Sequence, residues 1–290
     1  MKQKTKSLIE IHLAVFLFGL AGLFGKLLSL PSTIIVLGRV LFASISLLLI
    51  IFYFKENLKL KNKNDYFYLA LLGVILAIHW ATFFKSIQVS TVAIGLLTFS
   101  TFPVFVTFLE PIFFKEKLKS RNILIAIITL IGVALVIPKF DISDNATLGV
   151  VWGVISGFTF AILSILNKKY VKNYSSLVIA FYQDATATIA LLPFLLLTAV
   201  TFTTKDILLL ILLGVIFTGV SHSLFIKGLA NIKAHTASII ASLEPVYGII
   251  FAIFIVNEVP TLRVILGGII ILGATFFVTI SSHTEPAIPE

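Results

Sequence analysis

Residues 89–131 read VSTVAIGLLTFSTFPVFVTFLEPIFFKEKLKSRNILIAIITLI: an apolar run with a proline inside it, a short charged turn, and a second apolar run. From Asn231 the chain writes the same plan again, as NIKAHTASIIASLEPVYGIIFAIFIVNEVPTLRVILGGIIILG. At a constant offset of 142, Ser100 falls on Ser242, Pro103 on Pro245, Val104 on Val246, Glu116 on Glu258 and Arg121 on Arg263. Ile123, Leu124, Ile127, Ile128 and Leu130 recur as Ile265, Leu266, Ile269, Ile270 and Leu272, and the same offset carries Lys26 to Lys168 and Lys85 to Lys227. Two copies of 142 residues fill nearly all of the 290, which marks a duplicated architecture. Residues 1–142 and 143–282 are the expected halves, and the polar stretch 283–290, with its two prolines, is an expected disordered tail.

The solvent for this fold follows from composition. Hydrophobic residues make up 59% and charged residues 12%, with a mean hydropathy of +1.10. Water-soluble domains carry about a quarter charged residues, so the chain belongs in lipid. The net charge of +9 does not indicate nucleic acid, because the basic residues sit in short runs between apolar segments. There is no cysteine, hence neither a disulfide framework nor a thiolate metal site.

A membrane-crossing helix needs about 20 mostly apolar residues. Ten such stretches are present: 8–28, 33–54, 66–84, 90–112, 121–138, 147–167, 176–200, 206–226, 234–256 and 261–280. They are continuously apolar rather than alternating, which predicts helices and excludes a β-barrel. The first follows a few lysines as a signal peptide would, but its length and the lack of a small-residue cleavage site make it a span. Ten spans place both termini on one side. If that side is the cytoplasm, inner segments carry sixteen Lys and Arg and outer segments only five, so both termini are expected to be cytoplasmic in a cell-membrane protein. Five spans per half is an odd number, so the second half enters the membrane upside down. The charges agree, since the Glu116 turn holds four basic residues and the Glu258 turn only Arg263. Inverted repeats of this kind build the alternating gates of secondary transporters.

Pro103-Val104 leading to Lys115-Glu116-Lys117-Leu118, Leu243-Glu244-Pro245-Val246 leading to Asn257-Glu258, Ile131-Gly132, Leu272-Gly273-Ala274, and Gly38-Arg39 in the second span form one pattern. In this pattern the chain resembles, over essentially its whole length, the paired domains of EamA-type permeases in the drug/metabolite transporter superfamily. It departs in two places: Phe18-Gly19 stands where the family often has Trp-Gly, and Lys115 and Asn257 stand where a glycine usually precedes the turn glutamate. The resemblance implies a ten-helix permease whose central cavity is lined by spans 1, 3, 4, 6, 8 and 9. It also implies export or exchange of small metabolites such as amino acids.

An ionisable group inside a span costs a few kcal/mol unless it has a partner, a cavity or an interface. Arg39 lies about six residues into the second span, roughly 9 Å deep, and must be partnered. A two-residue slip of the repeat sets it opposite Gln183, beside Asp184, so a structural Arg39–carboxylate pair and a substrate contact are both open. Asp184 and Glu244 fall near the midplane. Glu244 precedes Pro245, which frees a carbonyl one turn back, and its counterpart in the first half is Phe102. Repeat packing therefore does not demand that carboxylate, which leaves substrate binding and a buried hydrogen-bonded acid as its two readings. His79 and Trp80 in the third span match Ser221 and His222 in the eighth, and a histidine beside a tryptophan suits a planar or zwitterionic solute. Ordinary core packing is the alternative for that pair. Trp152 and Tyr247, like Tyr182, are candidate cavity walls or interface anchors. Pro103 and Pro245 are expected to bend spans 4 and 9 and open the cavity between them.

No zinc-protease, serine-hydrolase or phosphate-loop motif is present, and the five histidines have no i, i+4 pair, so no cofactor or metal is expected. The expected function is a permease for an amino acid or similar polar or zwitterionic solute, moved outward by alternating access. Its partners are that solute and the bilayer. The pattern is compatible with a monomer and leaves a coupling ion, a proton among the candidates, open. A membrane-embedded enzyme on a lipid-linked substrate would need clustered acid/base or metal ligands at one interface. A non-transporting scaffold would lack a polar cavity.

Overall fold

The computed structural model describes residues 2–114, 120–138, 141–232, 237 and 240–281. The turn holding Glu116 and the tail 283–290 lie outside the described residues. The helices are α1 (Lys2–Ala21), α2 (Phe24–Leu27), α3 (Ser32–Tyr53), α4 (Lys63–Val89), α5 (Val92–Phe99), α6 (Phe102–Phe114) and α7 (Ser120–Val136). They continue with α8 (Asn145–Tyr170), α9 (Ser176–Leu197), α10 (Thr204–Gly214), a π-helical turn (Val215–Val220), α11 (Ser221–Gly228), α12 (Glu244–Ile255) and α13 (Leu262–Ser281). Among the described residues there is no strand.

Among the described residues, seven helical stretches are long and apolar enough to cross a membrane: Gln3–Leu27, Ser32–Tyr53, Lys63–Val89, Val92–Phe113, Asn145–Asn167, Ser176–Leu197 and Thr204–Gly228. Ile123–Val136, Glu244–Ile255 and Leu262–Ala274 are shorter apolar helices. The chain is a multi-pass membrane protein. Its outer surface fits that solvent, since Leu49, Phe52, Ile112, Leu130, Leu196, Phe254 and Ile269 all lie exposed. So broad an apolar surface belongs against lipid and not water.

Local chemistry sets the helix starts. The Thr91 hydroxyl accepts from Ile94 N–H at the head of α5, Asp144 from Thr147 N–H at α8, and Ser175 from Val178 N–H at α9. Thr203 and Asp206 cap α10 reciprocally. Three expected spans are broken rather than continuous. The first tightens to i→i+3 bonding where Leu23 N–H reaches Leu20 O at 3.2 Å, separating α1 from α2. In the fourth and ninth the prolines do not bend a running helix. Pro103 stands in the first turn of α6, and Pro245 in the first turn of α12, each just after a non-helical turn. A missing N–H costs nothing at a helix start, which explains why a break replaced the expected bend.

Packing relates the two halves. α4 lies on α8 and α11 on α1; α6 lies on α8 and α12 on α1; α3 pairs with α9 and α7 with α13. Every contact in that set has its counterpart with the halves exchanged. The closest approaches repeat too. A Cβ on Gly73 would sit 2.6 Å from Gln183 O and 2.6 Å from Thr186 Cβ; one on Gly214 would sit 2.8 Å from Arg39 O and 2.5 Å from Phe42 Cβ. Gly73 and Gly214 differ by 141, whereas Arg39–Gln183 and Phe42–Thr186 differ by 144, so the slip between Arg39 and Gln183 is built into the helix contacts. From Gly73 to Gly214 the offset is 141, yet from Lys85 to Lys227 it is 142. The second half holds one more residue in that interval, and the π-helical turn Val215–Val220 absorbs it.

Candidate functional site

The helices α1, α3, α4, α5, α8, α11 and α12 surround a cavity of about 30 Å³. That is room for one or two water molecules. Its frame is aromatic and follows the repeat: Phe18 and Phe160 line it at an offset of 142, as do Phe83 and Phe225, joined by Trp80 and Phe99. The polar groups on the wall are Arg39, His79, Ser164, Asn167, His222 and Glu244. The lining as a whole comes from the first, third, fourth, sixth, eighth and ninth spans that the resemblance implied, with Arg39 added from the second.

Arg39 is 1% exposed. Its guanidinium carbon lies 3.8 Å from the centre of the Trp80 ring, and its Nε–H donates to Thr218 Oγ1 at 2.9 Å. A planar cation can stack and donate at once, which an ammonium cannot. The Arg39–Asp184 pair left open by the sequence is absent: among the described residues Arg39 makes no ion pair within 4.0 Å. The physical reason is the π-helical turn, which carries Thr218 to Arg39 and leaves the aromatic face of Trp80 as its second partner.

Asp184 instead faces His222, with Oδ1 and Nδ1 3.7 Å apart, and it lies fully buried behind the cavity wall. The His222 ring meets Trp80 edge-on, with centroids 5.7 Å apart. His79 is committed elsewhere. Its Nδ1 lies 2.9 Å from Ser156 Oγ and 3.0 Å from Ser156 O, which anchors α4 to α8, and its ring sits among Phe83, Phe99 and Phe160.

Glu244 reaches the cavity from the first turn of α12 and is 5% exposed. α1 comes close there because residue 19 has no side chain: a Cβ would stand 2.7 Å from Glu244 O. Pro245 and Pro103 start their helices beside the cavity residues Glu244 and Phe99, and neither lines the cavity itself.

Two candidate wall residues, Tyr247 and Trp152, and the expected structural residue Gln183 lie outside the cavity lining. Tyr247 is one turn along α12 and packs edge-on to Phe16, at 5.4 Å between centroids. Trp152 is on α8 away from the cavity, with its Nε1 buried and unpartnered. Gln183 is buried behind the wall, donating to the Oδ1 of Asn167 at 2.5 Å. Tyr247, three residues after Glu244, sits at the close α1–α12 crossing, where a Cβ on residue 19 would stand 3.0 Å from its own Cβ, and it turns toward Phe16. Sequence reasoning did not single out Phe160, Asn167, Ser156 or Thr218. Phe160 could have been found as the repeat partner of Phe18. Asn167, Ser156 and Thr218 had no periodic signal.

One end of the bundle is closed by a compact polar knot. Lys26 Nζ lies 3.3 Å from Glu258 Oε1 and donates to Ser90 O at 2.7 Å, while Glu258 Oε2 accepts from Val92 N–H at 2.7 Å at the head of α5. Asn257, standing where the resemblance expects glycine, has φ +55°, a left-handed conformation that asparagine tolerates. Elsewhere Glu10 is buried and pairs with Lys227 at 3.0 Å.

A cavity inside a multi-pass helical bundle with duplicated walls is the architecture of a membrane permease. The EamA-like transporter family matches the chain twice, over residues 5–137 and 147–280, and the chain belongs to that family. An uncharacterized transporter of Bacillus subtilis (strain 168), YxxF, is 27% identical over 281 residues, spanning 94% of this chain and 89% of that protein. An uncharacterized transporter of Archaeoglobus fulgidus is 31% identical over 193 residues, spanning 67% and 69%. The S-adenosylmethionine uptake transporter of Rickettsia prowazekii (strain Madrid E) is 25% identical over 245 residues, spanning 84% and 81%. A solved crystal structure shares the fold at TM-score 0.70 with 13% identity, covering 98% of this chain and 99% of its own. The protein is a small-molecule transporter and not an enzyme.

Proposed function

We propose that this transporter is a ten-crossing secondary permease of the cell membrane, with residues 1–142 and 143–282 as inverted halves and both termini cytoplasmic. It moves an amino acid or a similar small zwitterion outward by alternating access. The inverted arrangement is supported by the exchange of helix contacts between halves and by the paired approaches at Gly73 and Gly214. The orientation rests on sixteen basic residues against five.

One observation carries the choice of solute. Arg39 and Glu244, a guanidinium and a carboxyl group, line the same aromatic cavity and do not pair within 4.0 Å among the described residues. A basic and an acidic group held apart in one buried site are complementary to a molecule carrying both a carboxylate and an ammonium. The Nη groups of Arg39 receive the solute carboxylate, since its Nε is occupied by Thr218 and its face by Trp80. Glu244 receives the ammonium, and the phenylalanine frame covers the side chain. Alternating access requires the halves to part on either side of this cavity in turn.

A second reading, S-adenosylmethionine, has the same zwitterionic head plus an adenine for the aromatic frame, and the Rickettsia relative is named for its uptake. Counterflow into proteoliposomes decides between them, using labelled amino acids, nucleosides and S-adenosylmethionine. A zwitterion is expected to exchange, with loss of affinity in Glu244→Gln. Exchange of nucleosides lacking an amino-acid head, with every zwitterion excluded, would sink the proposal.

A further inference from the structure

Behind the cavity wall, α9 and α11 bring together five buried polar atoms without a hydrogen-bond partner. They are both carboxylate oxygens of Asp184, Oε1 of Gln183, Nδ1 of His222 and Oγ of Ser223. Asp184 is fully buried and outside the cavity lining, whereas His222 belongs to both places: its ring lines the cavity and its Nδ1 stands 3.7 Å from Asp184 Oδ1. We propose that Asp184 and His222 form a proton-binding site, adjoining the solute cavity through His222, through which proton movement is coupled to transport. This rests on the permease reading above.

Four observations lead there. Buried polar groups are almost always partnered, because leaving one unpartnered forfeits its bond to water with nothing in return. A carboxylate with neither oxygen bonded, inside a membrane span, persists where function requires it. Packing does not require it here. By the slip that relates Arg39 to Gln183, the counterpart of Asp184 is Val40, which is fully buried on α3, so a valine fills the equivalent place in the first half.

The ligand chemistry favours a proton over a metal cation. Sodium and other hard cations take oxygen ligands. Here the carboxylate faces an imidazole nitrogen at 3.7 Å, and the Arg39 guanidinium acts on Asp184 electrostatically. A proton needs only the pair: it binds Asp184 or His222 from one face of the membrane and leaves to the other, with no bond broken elsewhere. The remaining titratable or charged groups around the pair, among the described residues, are Arg39 from α3, His79 from α4 and Glu244 from α12. From α8, the uncharged Asn167 reaches Gln183.

Geometry also supplies the link to the solute. The His222 ring abuts Trp80 edge-on, and Trp80 carries the Arg39 guanidinium on its face. A proton arriving at the pair changes the charge beside that stack, and so the hold of Arg39 on a carboxylate. Reciprocally, a bound solute changes proton affinity at the pair, as linkage between two sites demands.

The test uses full-length protein in lipid nanodiscs, with imidazole resonances of His222 followed against pH in wild type, Asp184→Asn and Asp184→Glu. The expected result is a His222 titration displaced by Asp184→Asn and restored toward wild type by Asp184→Glu. Asp184→Val, copying the first half, provides the folding control through its melting temperature. In proteoliposomes, a pH gradient should drive accumulation of the solute found by counterflow. Asp184→Asn should abolish that accumulation and flatten the pH profile, with Asp184→Glu recovering both. A His222 titration indifferent to Asp184→Asn overturns the proposal. So does accumulation driven by a sodium gradient and not by a pH gradient. If the wild type moves no solute, the permease reading fails by itself, and the His222 titration still decides the proton site.

Discussion

Arg39→Lys separates the shape of the guanidinium from its charge. The wild-type side chain stacks on Trp80 at 3.8 Å and donates from Nε to Thr218 at 2.9 Å. A desolvated cation–π contact is worth about 2 kcal/mol, and a hydrogen bond to a charged group about 1.5–3 kcal/mol. One ammonium can keep one of these and not both, so the expected loss is about 1.5–3 kcal/mol. For a protein of this size that lowers the melting temperature by roughly 3–12 °C. The assay is unusually direct because the chain has two tryptophans, Trp80 and Trp152. In a Trp152→Phe background all tryptophan emission comes from Trp80, and Arg39→Lys should change its intensity while thermal melting in nanodiscs reports the stability loss. A Trp80→Phe partner closes a double-mutant cycle whose coupling energy isolates the stack. Wild-type melting together with unchanged Trp80 emission in Arg39→Lys would refute the reasoning.

Four further expectations follow. Glu244→Gln should fold normally yet weaken half-saturation for a zwitterion about 10–100-fold, the equivalent of a charged hydrogen bond, as read by counterflow titration. Because the chain is free of cysteine, single cysteines at Lys4, Asp144 or Pro289 need no background changes; impermeant thiol reagents on intact cells should label only the one at Asp144. Gly214→Ala should destabilise by about 1–3 kcal/mol, because its Cβ would meet Phe42 Cβ at 2.5 Å, whereas Gly273→Ala, with nothing within 4 Å, should melt like wild type. Glu258→Gln removes the ion pair with Lys26 and the charge at the head of α5, so a cysteine replacing Ser90 should react faster with thiol reagents than in an otherwise wild-type protein.

Much of the helical layout could be read from sequence, because continuous apolar runs leave a membrane chain few alternatives. The duplication pointed to Pro103 and Pro245 through each other. What could not be read were the departures from it. Arg39 was recognised as needing a partner, but the partner proved to be an aromatic face and a hydroxyl brought in by a one-residue insertion. Apolar periodicity carries no trace of such an insertion, since both flanks remain helical. The prolines were recognised as marks on spans 4 and 9, but whether a proline kinks a helix or starts one depends on the preceding residues. Here Thr98, Ser100 and Thr101 hydroxyls donate to carbonyls of the previous turn and so ease the break. Trp152 and Tyr247 illustrate the weakest inference: an aromatic in a span announces a contact without saying with what.

The single residue that the π-helical turn adds to the second half has a thermodynamic consequence. On the proposed inverted arrangement, two identical halves would make the inward- and outward-facing forms equivalent by a two-fold rotation and equal in free energy, and the protein would rest on neither side. Val215–Val220 is one of the differences that lift that degeneracy, because the interface of this turn with α3 has no equal where α4 meets α9. The membrane's two faces are therefore distinguished by the protein itself before any gradient is applied, and deleting one residue from this turn would be a way to retune the balance.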